Sequence, residues 1–304
     1  MLAIIYVYYN SADVIFTSIK SLLSNKTTVD YEIIIVINKC TDIEINQLTN
    51  YSKKIRVIIN NKNLGFGKAC NIGAKYADVK YLLFLNPDTI VEENVLEQMY
   101  KKMENDERIG ISVCKLLTSE NQVQKNVIYK KYNLFIIISE LFFLFKIPLL
   151  KKIVLKNFYN KIDFEKEQFP KIISGAFMFF RKSAFNKING FDEDFFMYGE
   201  DKDISLRTGK EYKLYYNPDV IVYHIGDSSL GIYPSIHKLT MMYSNQLLNV
   251  EKNFGRFQKY FLKFLYIINA FMFFPISFLM KNKIYRPLLK NRSIVFLKLF
   301  FSKI

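Results

Sequence analysis

The chain has 304 residues, 50% hydrophobic and 16% aromatic, which is enough to bury one large core and too apolar for a disordered protein. Its net charge of +15 is confined to two stretches: residues 251–304 carry eleven Lys or Arg against Glu251, residues 130–161 carry seven Lys against Glu140, and the remainder sums to −1. A near-neutral body offers no basic groove for tracking phosphates, so nucleic acid is excluded as an expected partner.

Short apolar strands are predicted at Ala3–Tyr8, Glu32–Ile37, Arg56–Ile59 and Tyr81–Leu85, separated by helix-like stretches. This alternation is that of an α/β sheet with parallel neighbours. The segment from Leu2 to Val7 lacks a basic leader and a small-residue cleavage site, so it reads as a strand and not as a signal peptide. Ser11 is placed to cap the first helix, with Val14, Ile15, Ile19, Leu22 and Leu23 as its inward stripe. Cys40, Cys70 and Cys114 form an odd set without paired spacing and read as small core residues in a reducing compartment.

Polar residues follow each strand: Tyr9 and Asn10, then Asn38, then Asn60 and Asn61, then Asn86 and Asp88. Turn chemistry accounts for any one of them, but ligands of open α/β sheets sit beyond the carboxyl ends of the strands, where all four sets fall. The loop Asn63-Leu64-Gly65-Phe66-Gly67-Lys68-Ala69-Cys70-Asn71-Ile72-Gly73 runs into a helix. Its glycines admit close backbone approach, Lys68 can neutralise phosphate, and the helix start adds N–H donors. The loop matches neither the P-loop nor the dinucleotide fingerprint.

After Asp88, Val91–Asn105 is predicted as a helix. The apolar run Leu134 to Phe145 is followed by Lys146, Lys151, Lys152 and Lys156. Ile172 to Arg181 reads as one strand and Ser183 to Ile188 as a helical piece. The acidic cluster Gly199-Glu200-Asp201-Lys202-Asp203 reads as a loop entering a helix at Asp203, and Lys213–Asn217 and Val220–His224 read as strands. Carboxylates concentrated in this cluster and at Asp88 repel one another unless a cation or a reaction requires them. The last long apolar run, Phe264 to Met280, is flanked by Lys259, Lys263, Lys281, Lys283 and Arg286. It is shorter than the ~20 residues of a span and is interrupted by Asn269 and Pro275. Attachment to an anionic membrane surface is therefore expected, with a core helix or a homodimer interface as the alternative.

The chain resembles the family 2 inverting glycosyltransferases, especially the rhamnosyltransferase-like members. The resemblance rests on Tyr9-Asn10, Asn38 with Thr41-Asp42, the Asn63-to-Gly73 loop, Leu85-Asn86-Pro87-Asp88-Thr89, Ser174-Gly175-Ala176-Phe177, Gly190-Phe191-Asp192, Phe196 through Arg207, and His224. It implies an α/β GT-A fold, a Rossmann-like mixed sheet flanked by helices, over residues 1–250. Within it lie a nucleotide-sugar half at 1–110, an apolar basic insertion at 130–161 and an acceptor half at 170–230, with membrane-associating or oligomerising helices at 251–304.

By the same resemblance, Tyr9, Asn10, Asn38, Asn63, Gly65, Phe66, Lys68, Asn71 and Asn86 bind a nucleotide-diphosphate sugar. Asp88, in the place of the family's DXD motif, and His224 hold Mg²⁺ or Mn²⁺. Asp201 is the implied general base, Glu200 orients the acceptor, and Gly175 and Arg207 lie on the acceptor side, with Asp203 and Arg207 also readable as a brace of the following helix. Family members carry an Asp that contacts the nucleotide base before the Asn ending the second strand; this chain has Ile37, so base recognition must use other groups.

The implied activity is transfer of a sugar, with dTDP-rhamnose the favoured donor, to a lipid-linked glycan at the cytoplasmic membrane face during cell-surface polysaccharide synthesis. Competing readings are a UDP-hexose or UDP-galactofuranose donor, a non-catalytic scaffold subunit, and a nucleotidyltransferase. Against the last, Tyr8-Tyr9-Asn10 stands where a Gly-rich signature belongs.

Overall fold

A computed structural model describes residues 1–39, 41–158, 162–226, 235–282 and 285–302. Its strands are β1 (Leu2–Tyr9), β2 (Tyr31–Lys39), β3 (Ile55–Ile59), β4 (Tyr81–Leu85), β5 (Thr89–Val91), β6 (Ile109–Leu117), β7 (Ile128–Tyr129), β8 (Ile172–Ile173), β9 (Phe177–Arg181) and β10 (Lys213–His224). Its α-helices are α1 (Ala12–Leu23), α2 (Asp42–Tyr51), α3 (Phe66–Tyr76), α4 (Val95–Asn105), α5 (Leu134–Leu141), α6 (Pro148–Phe158), α7 (Lys182–Lys187), α8 (Glu200–Thr208), α9 (Ile236–Phe254), α10 (Arg256–Leu279) and α11 (Tyr285–Phe301). They fall into two compact units. The first takes the described residues of Met1–Lys130, Ile162–Phe196 and Glu200–Asp227, and the second those of Lys131–Lys161, Met197–Gly199 and Ser228–Ile304.

The first unit is built on an eight-stranded mixed sheet in the order β3, β2, β1, β4, β9, β6, β10, β5. Strands β1 to β4 pair in parallel, β9 enters antiparallel between β4 and β6, and β5 pairs antiparallel with β10 at one edge. Every residue from Leu2 to Tyr8 is buried, because helices cover both faces of a parallel sheet and its strands become continuous apolar runs. Buried Tyr6 keeps its phenol satisfied 2.7 Å from Ser18 Oγ. At the start of α2, Thr41 and Glu44 form a reciprocal capping box.

Several sequence expectations are corrected. Ser11 stands at the N-cap of α1 but makes no side-chain capping bond. Val91, expected to open a helix, instead ends the edge strand β5 (Thr89–Val91), because Val91 and Thr89 register against Val222 and His224; the helix begins at Val95. The predicted strand Ile172 to Arg181 is broken at Ser174-Gly175-Ala176 into β8 and β9, which belong to different sheets. The two strands predicted at 213–224 are one, with an irregular register between Asn217 and Ile221. Helix α8 starts at Glu200, so the acidic cluster is its first turn and not a loop. Cys70 and Cys114 are buried free thiols, and Cys40 lies outside the described residues.

The second unit buries Leu239, Leu247 and Val250 of α9 with Leu262, Tyr266 and Ala270 of α10, Val295, Phe296 and Leu299 of α11, and Ile137 and Leu141 of α5. Tyr266 and Phe296 stack at 4.1 Å between ring centroids. This shared core groups α5 and α9 with the C-terminal helices, a different partition from a boundary at residue 250. Helix α10 has 24 residues and extends beyond the run read from sequence; by length and composition it could cross a membrane, and 33% of its most apolar stretch is buried.

Candidate functional site

The turn that leaves β4 is held at three points. Asn86 N–H donates to Ala176 O at 3.0 Å, Thr89 Oγ1 donates to Asn86 O at 2.7 Å, and Ile225 N–H donates to Asp88 O at 2.9 Å. Because β5 pairs with β10, His224 lies opposite Thr89 and its ring reaches the turn. Its Nε2 is 3.2 Å from Asp88 Oδ1 and 3.4 Å from Asn86 Nδ2.

Gln124 sets the state of that ring. Its Nε2 donates to His224 O at 3.0 Å, which leaves its Oε1 3.0 Å from His224 Nδ1. An amide oxygen can only accept, so the network assigns a proton to Nδ1, and in the neutral ring this makes Nε2 an acceptor. Asp88 Oδ1 is buried and without a hydrogen-bond partner, so two acceptors face each other across 3.2 Å. A divalent cation would relieve such a pair; the carboxylate oxygen is the donor type that Mg²⁺ or Mn²⁺ takes, and the imidazole nitrogen would be an added, softer ligand. Among the described residues no cluster of three or more His, Cys, Asp or Glu gathers, so water and ligand oxygens would complete the shell. Gly226 closes the other side: a Cβ there would stand 1.6 Å from Asp88 Oδ2. Neither Gln124 nor Gly226 was singled out by the sequence, since each acts through a contact distant in the chain.

The Ser174-Gly175-Ala176 break joins this turn to the acidic helix start. Ala176 O receives the Asn86 N–H, while Gly175 lies against Asp201: a Cβ on Gly175 would stand 3.6 Å from Asp201 Cβ. Ser205 of α8 ties the same segment through its Oγ, which accepts from Ile173 N–H at 3.1 Å. Asp201 Oδ1 also accepts from Lys202 N–H at 2.8 Å. Burial pushes both Glu200 and Asp201 above the usual carboxylate range; the Asp201 charge adds to the rise at Glu200, and Lys202 with the backbone donors tempers it at Asp201. Glu200 Oε2 is buried without a partner. Asp203 is buried and paired with Arg207 Nε at 2.7 Å, and Arg207 Nη1 donates to Ile188 O at 2.7 Å. Arg207 therefore braces α8, and its Nη2 is buried without a hydrogen-bond partner.

At the carboxyl ends of the parallel strands beside β4, Tyr9 and Asn10 are exposed, Asn10 with φ at 49°. Asn38 is buried: its Nδ2 donates to Gly65 O at 3.0 Å, and its Oδ1 accepts from Asn60 Nδ2 at 3.0 Å and Leu64 N–H at 3.3 Å. Asn63 Oδ1 accepts from Gly65 N–H at 2.9 Å. Asn71 pairs with both backbone groups of Phe191, at 2.8 and 2.9 Å, and Lys68 pairs with Glu193 at 2.7 Å. Phe66 packs edge-on against Phe191 at 5.9 Å. Asn38, Asn63 and Asn71 thus shape the loop with the same groups that were expected to touch the nucleotide.

A cavity of about 310 Å³ opens at the ends of β2 and β3, lined by Ile37, Asn38, Lys39, Asn60, Asn61 and Lys62 among others. A larger hollow of about 530 Å³, beside Asn71, Lys182 and Gly190, contains none of the carboxylates.

The sequence pattern of Glycosyl transferase family 2 matches residues 3–188, more than half of the chain. The chain is 30% identical over 213 residues to Rhamnosyltransferase WbbL of Escherichia coli (strain K12), covering 66% of this chain and 75% of that protein. It is 36% identical over 84 residues, 27% of each chain, to the N-acetylglucosaminyl-diphospho-decaprenol L-rhamnosyltransferase of Mycobacterium tuberculosis (strain H37Rv). Among solved structures, S. aureus TarS 1–349 in complex with UDP-GlcNAc superposes with a TM-score of 0.56 at 15% identity, covering 96% of this chain and 79% of that one. GalNAc-T7 with UDP, GalNAc and Mn²⁺ gives a TM-score of 0.54 at 15% identity, covering 74% and 43%.

Proposed function

This chain belongs to glycosyl transferase family 2 and carries the GT-A fold, and from that premise we propose that it moves a sugar from a nucleotide-diphosphate donor to a hydroxyl of a lipid-linked glycan, inverting the anomeric centre. The favoured donor is dTDP-rhamnose, supported by two relatives that carry rhamnosyltransferase names. The work site is a membrane surface, its cytoplasmic face.

The observation that carries this reading is the Gly175-Ala176 link. One residue receives the backbone of the Asp88 turn and the residue before it packs against Asp201, so a charge-neutralising end and a proton-accepting end meet at one segment. Asp88 and His224 would hold Mg²⁺ or Mn²⁺, which supplies positive charge against the donor diphosphate. Asp201 takes the proton of the acceptor hydroxyl while that oxygen attacks the anomeric carbon. The bond to the diphosphate breaks on the opposite face, its electron pair leaves with the diphosphate, and the configuration inverts. Glu200, held protonated by its burial, can donate a hydrogen bond to the acceptor and adds no second charge beside Asp201. The cavity at Ile37 receives the base against an apolar wall, with the exposed Tyr9 and Asn10 at the neighbouring strand end.

The test is a panel of nucleotide sugars with a lipid-linked acceptor. Turnover of dTDP-rhamnose should vanish with EDTA and return with Mg²⁺ or Mn²⁺. Asp201→Asn should lower kcat by ~10²–10⁴ with little change in donor affinity. Full activity of that variant would remove Asp201 as the base, and failure to turn over any nucleotide sugar would favour a scaffold subunit.

A further inference from the structure

Helix α10 is apolar on its exposed side as well as on its buried one. Its buried residues are Leu262, Tyr266 and Ala270 together with Lys259, Lys263, Asn269 and Ser277, while Phe257, Phe264, Phe271, Ile276, Phe278 and Leu279 are exposed, Leu279 to 84% and Phe257 to 78%. These buried polar side chains find partners inside the unit, Asn269 Oδ1 alone among their atoms being left without one. Lys259 Nζ donates to Glu251 at 2.6 Å, Lys263 Nζ to Ser302 O at 2.7 Å, and Asn269 Nδ2 to Leu141 O at 2.8 Å. At ~100° per residue, the exposed apolar positions fall within an arc of roughly 160° and the buried ones fall opposite. An arc this wide, carrying several half-exposed or fully exposed aromatic rings, exceeds the scattered apolar exposure of an ordinary surface.

Charge decides what covers it. The second unit holds eighteen Lys and Arg against Glu140 and Glu251 only, a net +16 that leaves −1 for the rest of the chain. Arg256 at the start of α10, Lys281 just beyond its end, and Arg286 and Lys290 on α11 are all exposed, and the Lys290 ammonium lies 5.8 Å from the Phe278 ring. A second copy of the chain would set one +16 surface against another. A span would place the buried, protein-facing lysines at membrane depth on a helix whose apolar arc covers only about half its circumference.

Resting on the membrane-surface reading above and sharpening it, we infer that the exposed arc of α10 lies flat in the interface of an anionic lipid leaflet, with its aromatic side chains at acyl depth and the flanking cations at the headgroups. The helix is a monotopic anchor, and the polar contacts on its inner face hold it to α9, α11 and α5.

The full-length protein should sediment with phosphatidylcholine vesicles containing phosphatidylglycerol and far less with phosphatidylcholine alone. Phe264→Glu with Phe271→Glu, both at exposed positions, should weaken vesicle partitioning tenfold or more while leaving the thermal melt and donor turnover in lipid-free solution unchanged. Lys281→Glu with Arg286→Glu should remove only the dependence on phosphatidylglycerol. Undiminished vesicle binding by the Phe pair would overturn the inference. So would loss of a dimer in lipid-free ultracentrifugation, which would put a second copy on this face, and so would resistance to alkaline carbonate extraction, which marks a span. Vesicle binding without turnover of any donor would sink the proposed chemistry and leave this surface standing.

Discussion

Gln124 spends both ends of its carboxamide on His224, one on the backbone carbonyl and one on ring Nδ1. Partners of this kind fix the tautomer of a metal-binding imidazole and typically contribute 10–100-fold to metal affinity. Gln124→Met should therefore weaken Mn²⁺ binding, measured by calorimetry, by about that factor while the melting temperature moves little. Unchanged affinity would mean that His224 does not ligate. Asp88 and His224 are singled out in the sequence through their motif context, but Gln124 is not: it sits one hundred residues from its partner in a segment with no pattern. Glu200 gives a second residue-level expectation. Burial and Asp201 raise its folded pKa above that of the unfolded chain, so ionisation costs the native state stability as pH climbs from about 4 through the raised value. Glu200→Gln should stabilise the protein at pH 8 by on the order of 1–3 kcal/mol and flatten its pH profile in thermal melts. A variant less stable than the parent at pH 8 would place a needed negative charge at that position.

The helix after β3 begins at Gly65, whose φ of 83° favours glycine and whose Cβ would sit 2.1 Å from Phe196 O. Phe66 N–H donates to that same oxygen at 3.0 Å, so this close approach ties the start of α3 to the segment before the acidic helix. Gly65→Ala adds backbone strain and the clash together, and should lower stability by about 1–3 kcal/mol in chemical denaturation. A neutral result would show that the loop relaxes freely. The same element scale explains which parts of the fold the sequence revealed. Strands β1, β2 and β4 were visible because burial on both faces makes them unbroken apolar runs, and Ile33 to Ile37 is one such run, whereas edge strand β3 leaves Arg56 and Ile59 exposed. Edge strand β5 was hidden because three residues carry no period, and their state is decided by a partner at residues 222–224. The break at Ser174-Gly175-Ala176 was hidden for a related reason: its two halves pair with different sheets, and local pattern cannot report that.

The whole chain divides its charge and its apolar surface together, with nearly all excess cation in the second unit and the catalytic candidates in the first. This partition makes deletion and surface substitution distinguishable. Removing residues 257–304 takes away Leu262, Tyr266, Ala270, Val295, Phe296 and Leu299, the side chains that cover Leu239, Leu247 and Val250 of α9 and Ile137 and Leu141 of α5. The truncated chain keeps those five residues with no apolar partner from α10 or α11, and losing several buried contacts worth ~1–3 kcal/mol each exceeds the margin of an ordinary domain. The deletion should therefore yield aggregated protein in size-exclusion chromatography, whereas the exposed-face substitutions on α10 should yield a soluble protein with lower vesicle affinity. A truncated chain that stayed soluble, monodisperse and active would show that the first unit folds alone and that the C-terminal helices serve attachment only.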